Sequence, residues 1–123
     1  MIRRFSDLLA WRTAHELTLS VYKITKIFPR DELFGLVSQS RRAATSVGAN
    51  IAEGFGRNTR KDKINFYATA HTSLDELQNH MMIARDLKYI SLDMYSQFDK
   101  DSERVAQLIT GLQRSASDRE RSH

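Results

Sequence analysis

The densest basic run in the chain contains four cations and a single acid, Asp62. The cations are Arg57, Arg60, Lys61 and Lys63. Guanidinium groups contact phosphate oxygens in pairs, and ammonium groups attract phosphate as point charges. The run spans a predicted turn and the first turn of a helix, where backbone N–H groups also favour anions. It is therefore a candidate phosphate-binding surface.

Arg41 and Arg42 extend the candidate nucleic-acid-binding set. Two other interpretations remain open: a solvated cationic face, or salt bridges between subunits. The acidic partners for such bridges would be Asp93, Asp99, Asp101 and Glu103. The sequence shows no aromatic residues positioned to stack on bases, so it does not predict sequence-specific recognition of single strands.

Two glycines in Gly54-Phe55-Gly56 resemble part of a nucleotide-binding loop but lack its context. A dinucleotide fingerprint needs a third glycine and a preceding strand, and a phosphate loop needs a following Lys-Ser or Lys-Thr pair. The segment instead follows a helical pattern. We expect either Gly54 or Gly56 to end that helix in the left-handed conformation.

The residue types that could bind metal or catalyse a reaction do not form a recognised pattern. A dinuclear centre in a helical bundle uses paired Glu-x-x-His motifs, and the chain has none. His71 and His80 are separated by about 900° of helical rotation, so they point in opposite directions. No nucleophile motif or oxyanion loop is present, and Glu53 is expected to form a local hydrogen bond or ion pair. We predict no cofactor, no metal and no enzymatic activity.

The elements that carry these residues are predicted to be four amphipathic helices, because the chain contains one proline, five glycines and no sustained strand alternation. Candidate N-caps are Ser6 or Asp7, Asp31, Asn58 or Thr59, and Ser91. The four apolar stripes are Ala10, Ala14, Leu17, Val21, Ile24 and Phe28; Leu33, Val37, Ser40, Ala44, Val47 and Ile51; Tyr67, Ala70, Leu74, Leu77, Met81 and Ala84; and Leu92, Tyr95, Phe98, Val105, Leu108 and Leu112. Short connections favour an all-α, antiparallel up-down-up-down four-helix bundle. We expect the bundle to span residues 1–115 and a polar, disordered tail to span 116–123.

Composition restricts the class of protein further. The chain of 123 residues contains no cysteine and carries a net charge of +4. Residues 1–63 hold 12 basic and 6 acidic residues, and residues 64–123 hold 7 and 9. The basic half favours attraction to phosphate. The absence of cysteine, of a signal peptide and of a long apolar run predicts a cytoplasmic protein that does not enter a membrane.

Several segments together resemble the four-helix-bundle family of proteins encoded in 23S rRNA intervening sequences, often labelled S23 ribosomal proteins. The strongest match is Asn50-Ile51-Ala52-Glu53-Gly54-Phe55-Gly56-Arg57. Similar segments lie at residues 8–17, 28–36, 39–44, 73–77 and 84–87. Where the family has glycine in a Leu-Gly-Tyr turn, this chain has Lys88. By position, the resemblance marks Arg41, Arg42, Asn50, Glu53, Gly54 and Arg57 as family motif residues, and we place Asn50, Glu53, Gly54 and Gly56 among positions used for folding or assembly.

The resemblance implies a cytosolic bacterial bundle that assembles as a homo-oligomer, for example a pentameric ring. It also implies distant similarity to accessory variability proteins of diversity-generating retroelements, which bind nucleic acid and a reverse transcriptase. Apolar residues outside the stripes independently favour self-association. They are Trp11, Leu19, Phe34, Phe55, Phe66 and Met82. We therefore predict a non-catalytic oligomer that binds structured RNA through phosphates. The alternatives are a scaffold that docks a partner protein and uses the basic run in assembly, or a small-molecule enzyme with a ligand-sized pocket.

Overall fold

The computed structural model describes the backbone of residues 1–121 and the side chains of residues 1–117. It contains four α-helices: α1 (Leu9–Thr25), α2 (Ser38–Phe55), α3 (Arg60–Asp86) and α4 (Leu92–Arg121). Short 3-10 turns cover Phe5–Asp7 and Arg30–Glu32, and a π-helical turn covers Leu33–Val37. The described backbone contains no strand, so the predicted all-α class is confirmed.

Polar contacts between neighbouring helices show that successive helices run antiparallel. Thr18 of α1 donates to the Ala44 carbonyl of α2 at 3.1 Å, and Ser46 of α2 lies 2.8 Å from Ser73 of α3. Two pairs join α3 to α4 with the same inverted order: Gln78 with Ser102, and His71 with Thr110. The α1 and α4 helices also contact each other and close the bundle. In the part of the chain that the structure describes, no helix is long and apolar enough to cross a membrane.

The predicted stripes form most of the core. Every member of the α3 stripe is buried, as are all members of the α2 stripe except Leu33. Leu33 is half-exposed because it precedes a kink at Gly35, whose backbone angles (φ −107°, ψ −112°) are not helical, so the stripe of α2 does not continue back to it. The α4 stripe needs correction. Its predicted members Phe98 and Val105 are buried, but Leu92 is 75% exposed at the first position of its helix, and the buried stripe also includes Ser102 and Ile109, which were not predicted.

The predicted caps are correct for the two later helices. Thr59 accepts the Asp62 N–H at 3.1 Å, and Ser91 accepts the Met94 N–H at 3.1 Å. The expectation for Asp7 was wrong. Its carboxylate accepts the N–H groups of Arg3 and Arg4, both at 3.0 Å, so it closes a turn before α1. These two bonds lower the pKa of Asp7, because they stabilise the charged carboxylate.

The expectation that Asp31 caps the second helix was also wrong. The neighbouring Glu32 accepts the Leu36 N–H at 3.3 Å, and α2 itself begins only at Ser38. The second carboxylate oxygen of Glu32 accepts a hydrogen bond from the Tyr89 hydroxyl at 2.9 Å. This bond joins the α1–α2 connection to the α3–α4 turn. It also raises the pKa of Tyr89, because a phenolate could not donate to the carboxylate and would be repelled by it.

The fourth helix continues past the predicted boundary at residue 115. It reaches Arg121, and Ala116 is buried at the next position of its inward stripe. The predicted tail at 116–123 is therefore helical as far as Arg121. Ser122 and His123 lie outside the described residues, and disorder in the tail stays a prediction.

The α3–α4 turn places a lysine in a conformation that favours glycine. Lys88 has φ of 64°, in the left-handed region. The Tyr89 N–H donates to the Ala84 carbonyl at 2.9 Å, and the Lys88 N–H donates to the Arg85 carbonyl at 3.0 Å. These two bonds form a Schellman motif, whose left-handed position is usually glycine. Lys88 therefore adopts the backbone geometry of this turn despite its Cβ.

We expect Lys88→Gly to increase the free energy of unfolding by about 1 kcal/mol, because glycine has no Cβ penalty at positive φ. Urea denaturation followed by circular dichroism would measure the change. Lys88→Ala is the matched control: it removes the same charge but retains a Cβ, so it should give no comparable gain. Equal stabilisation by both variants would contradict a conformational cause.

Candidate nucleic-acid interface

The junction between α2 and α3 is built by a close approach at Gly54. Gly54 is buried, and a Cβ added there would lie 2.5 Å from Cε1 and 2.8 Å from Cδ1 of Tyr67. The buried Tyr67 ring therefore occupies the space that any side chain at position 54 would need. Gly56 follows at the helix end with φ of −80°, which any residue can adopt. The predicted left-handed glycine was wrong, since no described glycine has positive φ.

Lys63 closes the end of α2 from the first turn of α3. Its ammonium donates to the carbonyls of Gly54 at 3.2 Å and Phe55 at 2.8 Å, and it lies 5.7 Å from the Phe55 ring centroid. A cation at a helix C-terminus satisfies carbonyls that have no partner within the helix and complements the negative end of the helix dipole. Lys63 is therefore part of the junction as well as part of the basic run.

Arg57 is also committed to local contacts. Its guanidinium lies 3.0 Å from the Glu53 carboxylate and 4.5 Å from the centroid of the Phe66 ring. The expected local ion pair of Glu53 is thus present, and it bridges one turn at the end of α2. Both side chains remain about half exposed, so Arg57 still contributes positive potential at the surface.

The other two members of the run, Arg60 and Lys61, are exposed at the start of α3. The fold adds further cations at this end of the bundle: Arg3 and Arg4 from the N-terminal segment and Arg114 from α4. Ile2, Arg60 and Ser115 line one groove, which shows that these three parts of the chain meet. We call this region the basic end. Among the side chains that the structure describes, it holds seven cations (Arg3, Arg4, Arg57, Arg60, Lys61, Lys63 and Arg114) and three acids (Asp7, Glu53 and Asp62).

Arg41 and Arg42 are not brought to the basic end. They lie in the first turn of α2, roughly 24 Å along the helix axis from Arg57 at 1.5 Å per residue. Arg41 donates to the Thr25 hydroxyl at 3.0 Å and the Tyr22 carbonyl at 3.3 Å, and it lies over the Tyr22 ring. It therefore fastens α2 to the end of α1. Arg42 is exposed on the adjacent face.

The remaining motif positions have packing roles. Asn50 donates to the carbonyl and hydroxyl of Ser46, and that hydroxyl lies 2.8 Å from Ser73 of α3. Gly48 lies against the Trp11 ring, because a Cβ there would be 3.5 Å from Nε1. A methyl group at that distance would make an ordinary van der Waals contact, so this packing does not itself require glycine.

The histidines of α3 lie on different faces. His71 contacts Thr110 of α4 at 3.2 Å, whereas His80 contacts Glu76 of its own helix at 3.4 Å. Among the described residues, no group of three or more His, Asp or Glu side chains is placed to hold a metal ion.

The basic end therefore offers a set of positive charges held at fixed positions. The sequence analysis did not include Arg3, Arg4 and Arg114 in the candidate set, because only the antiparallel order of the helices brings them to the α2–α3 turn.

We expect Gly54→Ala to lower the free energy of unfolding by about 1–3 kcal/mol, because the methyl group would overlap the Tyr67 ring and displace a buried side chain. Gly111→Ala is the control, since a Cβ at Gly111 meets no atom within 4 Å and alanine favours the helix. Thermal denaturation of both variants would measure the difference. A Gly54→Ala protein as stable as wild type would contradict the packing role.

Comparisons with known proteins agree with the fold and the motif. Residues 6–111 match the 23S rRNA-intervening sequence protein family. A crystal structure of a Bacteroides thetaiotaomicron protein of unknown function from the S23 ribosomal protein family superposes with a TM-score of 0.79. The two chains are 22% identical, and the match covers 86% of this chain and 96% of the other. A search of curated proteins finds no match. The resemblance seen in the sequence is confirmed, and the chain belongs to the 23S rRNA-intervening sequence protein family.

Proposed function

We propose that this protein is a non-catalytic, homo-oligomeric bundle that binds structured RNA through its phosphates at the basic end. The observation that carries the proposal is the concentration of seven cations against three acids at one end of the bundle. The helices that bear these cations are fixed by a buried core, so the charges are positioned before a ligand arrives. Phosphate contacts provide affinity without reading sequence.

The contacts of each cation indicate which of them would bind phosphate directly and which would contribute only positive potential. Arg60 and Lys61 are exposed at the start of α3, so they are our first choices for phosphate contact. Arg57 and Lys63 contribute potential from fixed positions. Arg42 would contribute only if the RNA extended along α2, and the contacts of Arg41 with α1 favour a structural role.

Self-association would bring the basic ends of several copies together and so increase the number of cations that face one RNA. Phe34 is 90% exposed and lines an open groove of about 760 Å³. Along α2 the groove is lined by the small residues Ser38, Thr45 and Ala49, and also by Arg41 and Arg42. A large exposed apolar residue in a groove that also holds small side chains supports a contact between copies. Copies joined side by side would present several basic ends to one RNA and raise the effective concentration of contacts.

The RNA proposal predicts that binding weakens linearly with log salt, with a slope of about −0.9 per phosphate contacted. Fluorescence anisotropy of a labelled RNA hairpin, at known protein concentration, would measure the slope. Lys61→Glu should weaken binding several-fold and reduce the magnitude of the slope by about 1, because it removes one phosphate contact.

Lys100→Glu is the matched control, since it makes the same charge change at an exposed position of α4 outside the basic end. Arg42→Glu tests whether the start of α2, away from the basic end, also contacts the RNA. It should weaken binding less than Lys61→Glu. Binding that is insensitive to salt, or equally weakened by Lys61→Glu and Lys100→Glu, would overturn the proposal.

Self-association predicts that Phe34→Ser lowers the average mass measured by sedimentation velocity at matched concentration, because an exposed apolar contact is lost. Phe34 is too exposed to support the core, so the helical signal should not change. Ile83→Ser is the control, since Ile83 is an exposed apolar residue of α3 that does not line the α2 groove. An unchanged mass for Phe34→Ser would exclude this residue from the contact.

A second candidate function is docking of a partner protein. The opposite end of the bundle, where α1–α2 and α3–α4 connect, exposes Ile27, Leu87 and Leu92 at 56%, 52% and 75%. We call it the apolar end, and Ile27 and Leu92 line one groove there. Under this alternative the basic run serves assembly. Lys61→Glu would then lower the oligomer mass before it lowers RNA affinity, whereas the RNA proposal expects the reverse order.

A further inference from the structure

The basic end contains a groove that shares Arg60 and Lys63 with the proposed RNA contact but adds apolar walls to them. It has a volume of about 670 Å³, within the range of small-molecule sites. Its walls come from the N-terminal segment, the end of α2, the start of α3 and the end of α4. The apolar lining residues are Ile2, Leu8, Phe55, Leu112 and Ala116.

The walls of the groove are held by specific contacts. Asp7 binds the N–H groups of Arg3 and Arg4 and thereby fixes the segment that carries Ile2. Lys63 binds the last carbonyls of α2 and fixes the turn that carries Phe55. A concave site whose walls are positioned in advance requires little ordering when it binds a ligand.

The charged side chains that line the groove are both cations, Arg60 and Lys63. The other polar lining groups are neutral and belong to Asn58, Thr59, Ser115 and Tyr67. Among the side chains that the structure describes, no acidic one is part of the lining. An apolar interior with cations on one wall matches a ligand that has an apolar body and an anionic head.

We propose that this groove binds an amphipathic anion, with an aliphatic body and a carboxylate or phosphate head. The head would lie beside Arg60 and Lys63, and the body would cover Leu8, Leu112 and Ala116. This site differs from the RNA contact, for which the exposed Lys61 is a principal residue and which does not need the apolar walls.

The lining favours an aliphatic body over a nucleobase. A base needs a flat aromatic face on which to stack. Tyr67 is 4% exposed, and the Phe55 ring already has the Lys63 ammonium 5.7 Å from its centroid. The other apolar walls are aliphatic, which suits a flexible hydrocarbon chain.

Titration of the full-length protein with decanoate and with decyl phosphate, followed by calorimetry, tests the proposal and distinguishes the two head groups. We expect saturable binding of at least one of these anions. Decanol has the same body without the charge and should bind at least about tenfold more weakly, because it cannot form charge-assisted hydrogen bonds. Acetate and inorganic phosphate have no apolar body and should bind weakly. Equal affinity for decanol and both anions, or no saturable binding of either, would overturn the proposal.

Two variants locate the site. Ser115→Trp places a bulky side chain in the groove from an exposed position and should abolish anion binding, while RNA binding keeps its salt dependence. Arg60→Glu should weaken the favoured anion about tenfold, whereas Arg114→Glu, at the same end but outside the lining, should not. Lys61→Glu should reduce RNA binding and leave anion binding intact. If Ser115→Trp binds the anion as wild type does, the groove is not the site, whatever the outcome with RNA.

Discussion

The close approach of α2 and α3 is the constraint on which the rest of the structure depends. It requires small residues along α2: Ser46 reaches Ser73 at 2.8 Å, and Gly54 leaves space for the Tyr67 ring. The same helix accepts α1 on its other side through Gly48, which lies against Trp11. Because α2 contacts both neighbours through small side chains, it determines the spacing of the bundle. That spacing places the α2–α3 turn beside the N-terminal segment and thereby creates the basic end.

Several cations that appear available for ligands are used to hold α2 in place. Arg41 fastens the beginning of the helix to Thr25, and Lys63 binds the carbonyls at its end. Arg57 pairs with Glu53 and covers Phe66. The arginines and lysines at the ends of α2 therefore have two physical roles. They bind carbonyl groups and carboxylates at the helix ends, and they attract phosphate. The exposed Arg60 and Lys61 carry the second role in our proposal, because their side chains are open to solvent at the start of α3.

The sequence was sufficient to predict the helices, most of the core and the caps at Thr59 and Ser91, because these depend on residues within a few positions of each other. Some of its errors concern contacts between distant residues. Glu32 bonds Tyr89, which is 57 positions away, and this tie accompanies the kink at Gly35 before α2, where the expected cap at Asp31 is not formed. Arg41 and Arg57, which the sequence groups as candidate phosphate contacts, lie at opposite ends of α2, because helix length separates charges that composition groups together. The groove at the basic end lies between four segments and has no local signature.

The two ends of the bundle differ in chemistry, and this difference restricts which oligomers would bring the basic ends of several copies together. Copies that pack side by side through Phe34 and the α2 groove, related by rotation about one axis parallel to the helices, would place all basic ends on one face. An antiparallel pairing would separate the basic ends and lose the gain in effective concentration. A phosphate surface made of modest patches therefore favours a cyclic arrangement over an antiparallel dimer. The same arrangement would gather Ile27, Leu87 and Leu92 of every copy on the opposite face, where a partner protein could bind without competing with RNA.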